Sequence, residues 1–173
     1  MAQPVQQLNQ FGQKPLKGVV AAVPNPVTLS VVLDPASSNT LYAGDGVKLQ
    51  SGASPSIMVD LAAATDPVFG YVIRNIKKAS YSAGDALEIA LANSVIVLEA
   101  YGQINRGQNI EWYATGHQVK AHAGVNPISG TILDQSLATG DLVRVLVRSV
   151  AEYSSSSSSS SCRSSSSSSS KSA

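Results

Sequence analysis

Three aspartates share one setting in this sequence: Gly44-Asp45, Gly84-Asp85 and Gly140-Asp141. Isolated carboxylates of this kind can act as general acids or bases, or bind calcium. Each of these follows a glycine and precedes an alternating apolar segment, which is the context of a turn cap. No D-x-D-x-D run accompanies them, so a calcium loop is not indicated. His117 and His122 stand five residues apart, with Gln118 and Lys120 between them. That is not the i, i+4 spacing that places two histidines on one helical face for a metal. A Ser-His-Asp set using Asp141 can be drawn, but no G-x-S-x-G elbow supports it. Glycine-rich phosphate loops are absent, and the single cysteine, Cys162, allows neither an intrachain disulfide nor a cysteine-based zinc site. These residues call for no catalytic group, metal or cofactor, and the chain is expected not to be an enzyme.

The aspartate context belongs to a wider pattern. Ala43-Gly44-Asp45-Gly46-Val47-Lys48-Leu49 is echoed by Ala83-Gly84-Asp85-Ala86-Leu87-Glu88-Ile89. It returns as Arg106-Gly107-Gln108-Asn109-Ile110-Glu111-Trp112 and as Thr139-Gly140-Asp141-Leu142-Val143-Arg144-Val145. Each copy is a glycine, a short polar residue and a strand-like alternation. Glycine reaches positive φ without steric cost, and Asp or Gln can bond the local backbone. Gly44, Gly84, Gly107 and Gly140 are therefore the expected turn glycines. Their successive separations of 40, 23 and 33 residues exclude a solenoid and fit hairpins of one compact body.

Alternation supplies the elements that carry these turns. Val27, Leu29, Val31 and Leu33 share one face of a strand, as do Leu87, Ile89 and Leu91, and Val143, Val145 and Val147. Ile110 and Trp112 alternate with Glu111 and Tyr113. Gly18–Val23, Val47–Gln50, Ile57–Leu61, Val68–Arg74 and Val95–Tyr101 are further strand candidates. Asp34-Pro35, Ser51-Gly52, Asn105-Arg106-Gly107, Thr115-Gly116 and Ser129-Gly130 read as turns. One short helix is expected around Val59–Thr65, stopped by Pro67. Many short strands with this punctuation predict an all-β fold, a small barrel or sandwich.

Composition narrows the class. The chain has 173 residues, with 12 Lys+Arg against 11 Asp+Glu, and only 13% of it is charged, about half the usual share. This balance argues against a nucleic-acid grip. No apolar run is long enough to span a membrane, and Met1-Ala2-Gln3-Pro4 lacks a signal-peptide pattern. A chain so poor in charge fits a component of an assembly. Residues 1–16 read as an extended arm, residues 17–153 as the β body, and residues 154–173 as a serine-rich tail. Lys77 and Lys78 with Arg74 form a small basic cluster, either a solvated turn or a contact for an acidic patch. Of Trp112 and Tyr113, one is expected in the core and the other outside, where it could join Tyr101 or Tyr153 in an interface.

The order of motifs carries a resemblance. Residues 43–49, then Thr65-Asp66-Pro67-Val68-Phe69-Gly70-Tyr71-Val72, then 81–89, Val95–Tyr101, Asn105-Arg106-Gly107 and finally 139–145 resemble the capsid decoration, or cement, proteins of tailed bacteriophages. The resemblance spans roughly residues 40–150, and the serine tract has no counterpart in it. It implies a small β-barrel or sandwich on the outer surface of a mature head, made in the bacterial cytoplasm. It further implies a homotrimer that stabilises the shell by bridging major capsid protein subunits, with no nucleic-acid, membrane or small-molecule partner. The arm, with Gln3, Val5, Leu8 and Phe11, is the expected capsid contact, since an extended segment can add to a sheet edge.

Two other classes stay open. A head fibre, spike or glycan-binding β module would use the six tyrosines and one tryptophan for stacking. A biotinyl- or lipoyl-like carrier has similar G-D turns, but Lys48, Lys77, Lys78 and Lys120 all lack the M-K-M or D-K-A setting of its modified lysine.

Overall fold

The computed structural model describes residues 16–21, 26–52 and 56–148. The arm residues Gln3, Val5, Leu8 and Phe11, together with Tyr153 and Cys162, lie outside them. The fold is all-β.

A five-stranded barrel is built from β1 (Thr28–Leu33), β3 (Gly46–Leu49), β4 (Met58–Leu61), β5 (Gly70–Val72) and β7 (Ala86–Ala90), in the closed order β1-β4-β3-β5-β7. The β1–β4 pair is parallel and the other pairs are antiparallel. Alternation sets its faces: Val31, Leu33, Leu87 and Ile89 are buried inside, while Ser30 and Glu88 face outward. A short ribbon, β2 (Leu41–Tyr42) with β6 (Ser80–Tyr81), adds Leu41 and Tyr81 to the same core.

The second unit is an antiparallel sheet of β8 (Val95–Glu99), β9 (Asn109–Tyr113), β10 (Gln118–Ala121), β11 (Ile128–Ile132) and β12 (Leu142–Val147), in the order β10-β9-β11-β12-β8. Its free edge along β8 is covered. Gly18 and Ala21 donate backbone hydrogen bonds to Val97 and Val95, and Val97 donates to Val19. Further along, Ala100 bridges Val119. Strand edges left open invite association, and here the chain's own backbone fills this one.

The two units share a core. Ala62, Val68, Tyr71 and Ala90 from the barrel side pack with Ile96, Leu98, Ile110, Trp112, Val143 and Val145 from the sheet. Trp112 is fully buried and stands edge-on to Tyr71, with ring centroids 6.0 Å apart. A Cβ on Gly46 would come 3.0 Å from the indole, so glycine at this position lets the barrel pack closely on the sheet.

Two sequence expectations need correction. The segment around Val59–Thr65 is not a helix. Met58–Leu61 is a strand paired to both β1 and β3, and Ala63–Asp66 is a turn held by the Asp66 carboxylate, which accepts from the Ala63 N–H at 2.9 Å. Pairing on two sides outweighs the helical preference of the Ala62-Ala63-Ala64 run. Ser129-Gly130 is likewise not a turn. It lies within β11 at a register shift between Ile128 and Gly130, where a Cβ on Gly130 would come within 2.7 Å of the Leu146 carbonyl oxygen.

Candidate functional site

The residues first considered for chemistry are engaged in structure. Asp45, Asp85 and Asp141 each accept a hydrogen bond from the N–H three residues back, at 2.8 Å from Tyr42, 2.6 Å from Ser82 and 2.9 Å from Ala138. The Gln108 side chain does the same for Asn105 at 2.9 Å. Each turn also closes through its backbone, the Asp or Gln N–H donating to the carbonyl three residues back. The glycine at the third position has φ of +82° at Gly44, +81° at Gly84, +81° at Gly107 and +95° at Gly140, as a type II turn requires. Each glycine N–H then docks on another segment, donating to Val72, Leu33, Ile132 and Ala100 respectively at 2.7–2.9 Å. The four copies are thus one recurring structural device.

The histidines do not meet Asp141. His117 Nδ1 lies 3.1 Å from Asp45 Oδ1, and Lys17 Nζ is 3.7 Å from the same oxygen. Lys17 also donates to the His117 carbonyl at 2.6 Å. Asp45 is fully buried, and burial pushes its carboxyl above the ordinary value despite the Tyr42 N–H, His117 and Lys17. This cluster ties the start of the described chain to both units.

His122 belongs to a different cluster. Glu111 accepts from Asn126 Nδ2 at 2.9 Å and the Ala123 N–H at 3.2 Å, and it faces Lys120 Nζ and His122 Nδ1, each at 3.1 Å. Burial alone would raise its carboxyl. The bonds from Asn126, Lys120 and Ala123 outweigh burial and hold it below the ordinary value. Arg144 grips Asp134 bidentately at 2.7 and 2.9 Å, with the same net direction for Asp134. All of these groups staple loops to strands.

Two surface features remain. Trp112 faces the core, so its neighbour Tyr113 faces out, where it packs against Tyr101 with centroids 4.6 Å apart and rings inclined by 39°. Tyr101 is 46% exposed, and Lys120 Nζ lies 5.4 Å from the Tyr113 ring centre. The second feature is the hairpin from Ile73 to Ala79, closed by the Asn75–Lys78 bridge. The carrier alternative gains little from it. Lys77 stands at the tip but between Ile76 and Lys78, whereas Lys48, Lys78 and Lys120 are paired with Asp66, Asp85 and Glu111.

No protein-family profile matches the chain, and no curated protein matches it. A solved structure, the head fiber gp8.5 N base of bacteriophage phi29, superposes with a TM-score of 0.49 at 15% identity, covering 70% of this chain and 92% of that one. A likeness so distant bears on neither the fold nor the function.

Proposed function

We propose that this chain is a structural virion protein that binds the outer surface of a phage capsid and stabilises it by bridging major capsid protein subunits. The observation that carries the reading is the ordered set of motifs between residues 43 and 145 that resembles decoration proteins. Its four glycine turns fall on one shared geometry, each docked to another segment. This supports treating the motifs as one architecture and not as scattered coincidences of sequence. A rigid β body of this kind acts by geometry. Each copy adds an interface of about 800 Å² per partner, and many copies on one shell add avidity. Three copies at a threefold junction would each reach a different capsid subunit, and the arm at residues 2–16 would strap the body down. The test is co-sedimentation of the purified chain with heads of its parent phage lacking it. Saturable binding with heads that withstand higher temperature is expected; no binding overturns the reading.

A second reading, a head fibre or glycan-binding module, is favoured by the Tyr101–Tyr113 pair, in which Tyr101 is exposed and Tyr113 half-buried. Aromatic faces of this kind stack on sugar rings. A glycan array probed with the wild type and with Tyr101→Ala tests it. Binding lost in the variant supports it, and silence of the wild type removes it.

A further inference from the structure

We infer that the Ile73–Ala79 hairpin is the knob by which the body engages the shell, with Ile76 entering an apolar socket edged by carboxylates on the capsid protein. This rests on the shell-binding reading above. Ile76 is 98% exposed at the tip of a tight, ordered turn. Lys77 N–H donates to Asn75 Oδ1 at 2.8 Å, and the Asn75–Lys78 bridge closes the loop, so the tip is held in shape before any partner arrives. The base is anchored on the barrel, Ile73 N–H donating to the Glu88 carbonyl, and on the segment that covers β8, Arg74 N–H donating to the Gly18 carbonyl.

The charges around the tip are unequal in their bonding. Lys78 is neutralised by Asp85 at 2.7 Å and lies over the Tyr81 ring. Arg74 and Lys77, like Arg106 and Arg148, have no carboxylate partner among the described residues, whereas Lys17, Lys48, Lys78, Lys120 and Arg144 each have one. An apolar anchor at the tip beside Lys77, with Arg74 at the base, is complementary to an apolar pocket with an acidic rim. Hollows of about 590 and 240 Å³ flank the hairpin, the larger floored by Ser30 and Glu88 of the barrel wall. These hollows leave room beside the hairpin for the lips of a socket.

The experiment compares head binding by the wild type, Ile76→Asp, Lys77→Glu and a control, Val125→Asp, which alters another exposed tip at 87% exposure. Melting temperatures should be unchanged in all, since no core contact is touched. Ile76→Asp is expected to weaken binding at least about tenfold. Lys77→Glu should weaken it less and flatten its dependence on salt, with Val125→Asp binding as wild type. If the wild type binds and Ile76→Asp binds equally well, the knob is overturned while the shell reading stands. Equal losses in Ile76→Asp and Val125→Asp also overturn it. If the wild type does not bind, the shell reading fails and the knob falls with it.

Discussion

The indole N–H of Trp112 donates a 2.8 Å hydrogen bond to the carbonyl of Ala62, joining the β9 strand of the sheet to the residue that leaves β4 of the barrel. The same ring covers Gly46 and meets the edge of Tyr71. Within the core shared by barrel and sheet, Trp112 thus satisfies its only side-chain polar group across the junction.

Replacing Trp112 should therefore loosen the body as a whole. Trp112→Ala is expected to cost about 3–5 kcal/mol through the cavity it leaves. Trp112→Phe, which keeps most of the packing but leaves the Ala62 carbonyl without this donor, should cost about 1–3 kcal/mol. Urea unfolding measured by circular dichroism gives both values. Similar costs for the two variants would mean that the ring body contributes little.

The turn glycines separate backbone strain from crowding. A Cβ on Gly84 or Gly140 meets nothing within 4 Å, yet both have positive φ. Gly84→Val and Gly140→Val should each cost about 1–3 kcal/mol from conformation alone. Gly130→Ala, whose Cβ would press within 2.7 Å of the Leu146 carbonyl oxygen, should destabilise by crowding. Thermal melts that leave both valine variants at the wild-type temperature would contradict the strained turn.

How far this architecture could be read in advance depended on whether a residue's role was local. Val143, Val145 and Val147 alternate with outward Arg144, and the strand follows directly. Asp60 is different. Within Val59–Thr65 it reads as a polar position on a short helix, but its carboxylate accepts from Ser37, Asn39 and the Leu61 N–H. Two of those partners lie more than twenty residues away, and no local rule reveals them. Glu111 likewise looks like an ordinary outward residue opposite buried Trp112. Its burial arises because the loop carrying Ala123 and Asn126 folds over it. Gly130 shows the same limit: a glycine that marks a turn by composition marks a close strand approach in the fold. The Ile73–Ala79 hairpin was visible as a basic cluster, but the pairing of Lys78 with Asp85, which leaves Arg74 and Lys77 unpaired, depends on the fold.

Acid should destabilise the protein through named groups. Asp60, Glu111 and Asp134 are all held below their ordinary values in the fold. A depressed carboxyl contributes stability that is present above its unfolded value, about 4, and is lost as pH falls through the folded value. Asp45 is raised and acts in the opposite sense, its protonation easing the burial of its charge. Unfolding free energy should thus fall on going from pH 5 to pH 3, and the fall should be smaller in Glu111→Gln. Equal slopes in the two proteins would show that Glu111 is not a source of acid sensitivity.

Removal of the expected arm, residues 2–16, is a further test. Lys17, Gly18 and Ala21 already secure the start of the described chain to Asp45, Val97 and Val95. Deleting residues 2–16 should leave the melting temperature of the body close to wild type while weakening head binding. Unchanged occupancy on heads would remove the arm from the contact.

Bridging is the central claim, and cryo-electron microscopy of parent-phage heads saturated with the purified chain tests it most directly. Density is expected for a compact β body on the outer surface that touches two or more neighbouring capsid subunits around a threefold junction. A bare shell, or density rising radially from a single capsomer as a fibre does, would contradict it.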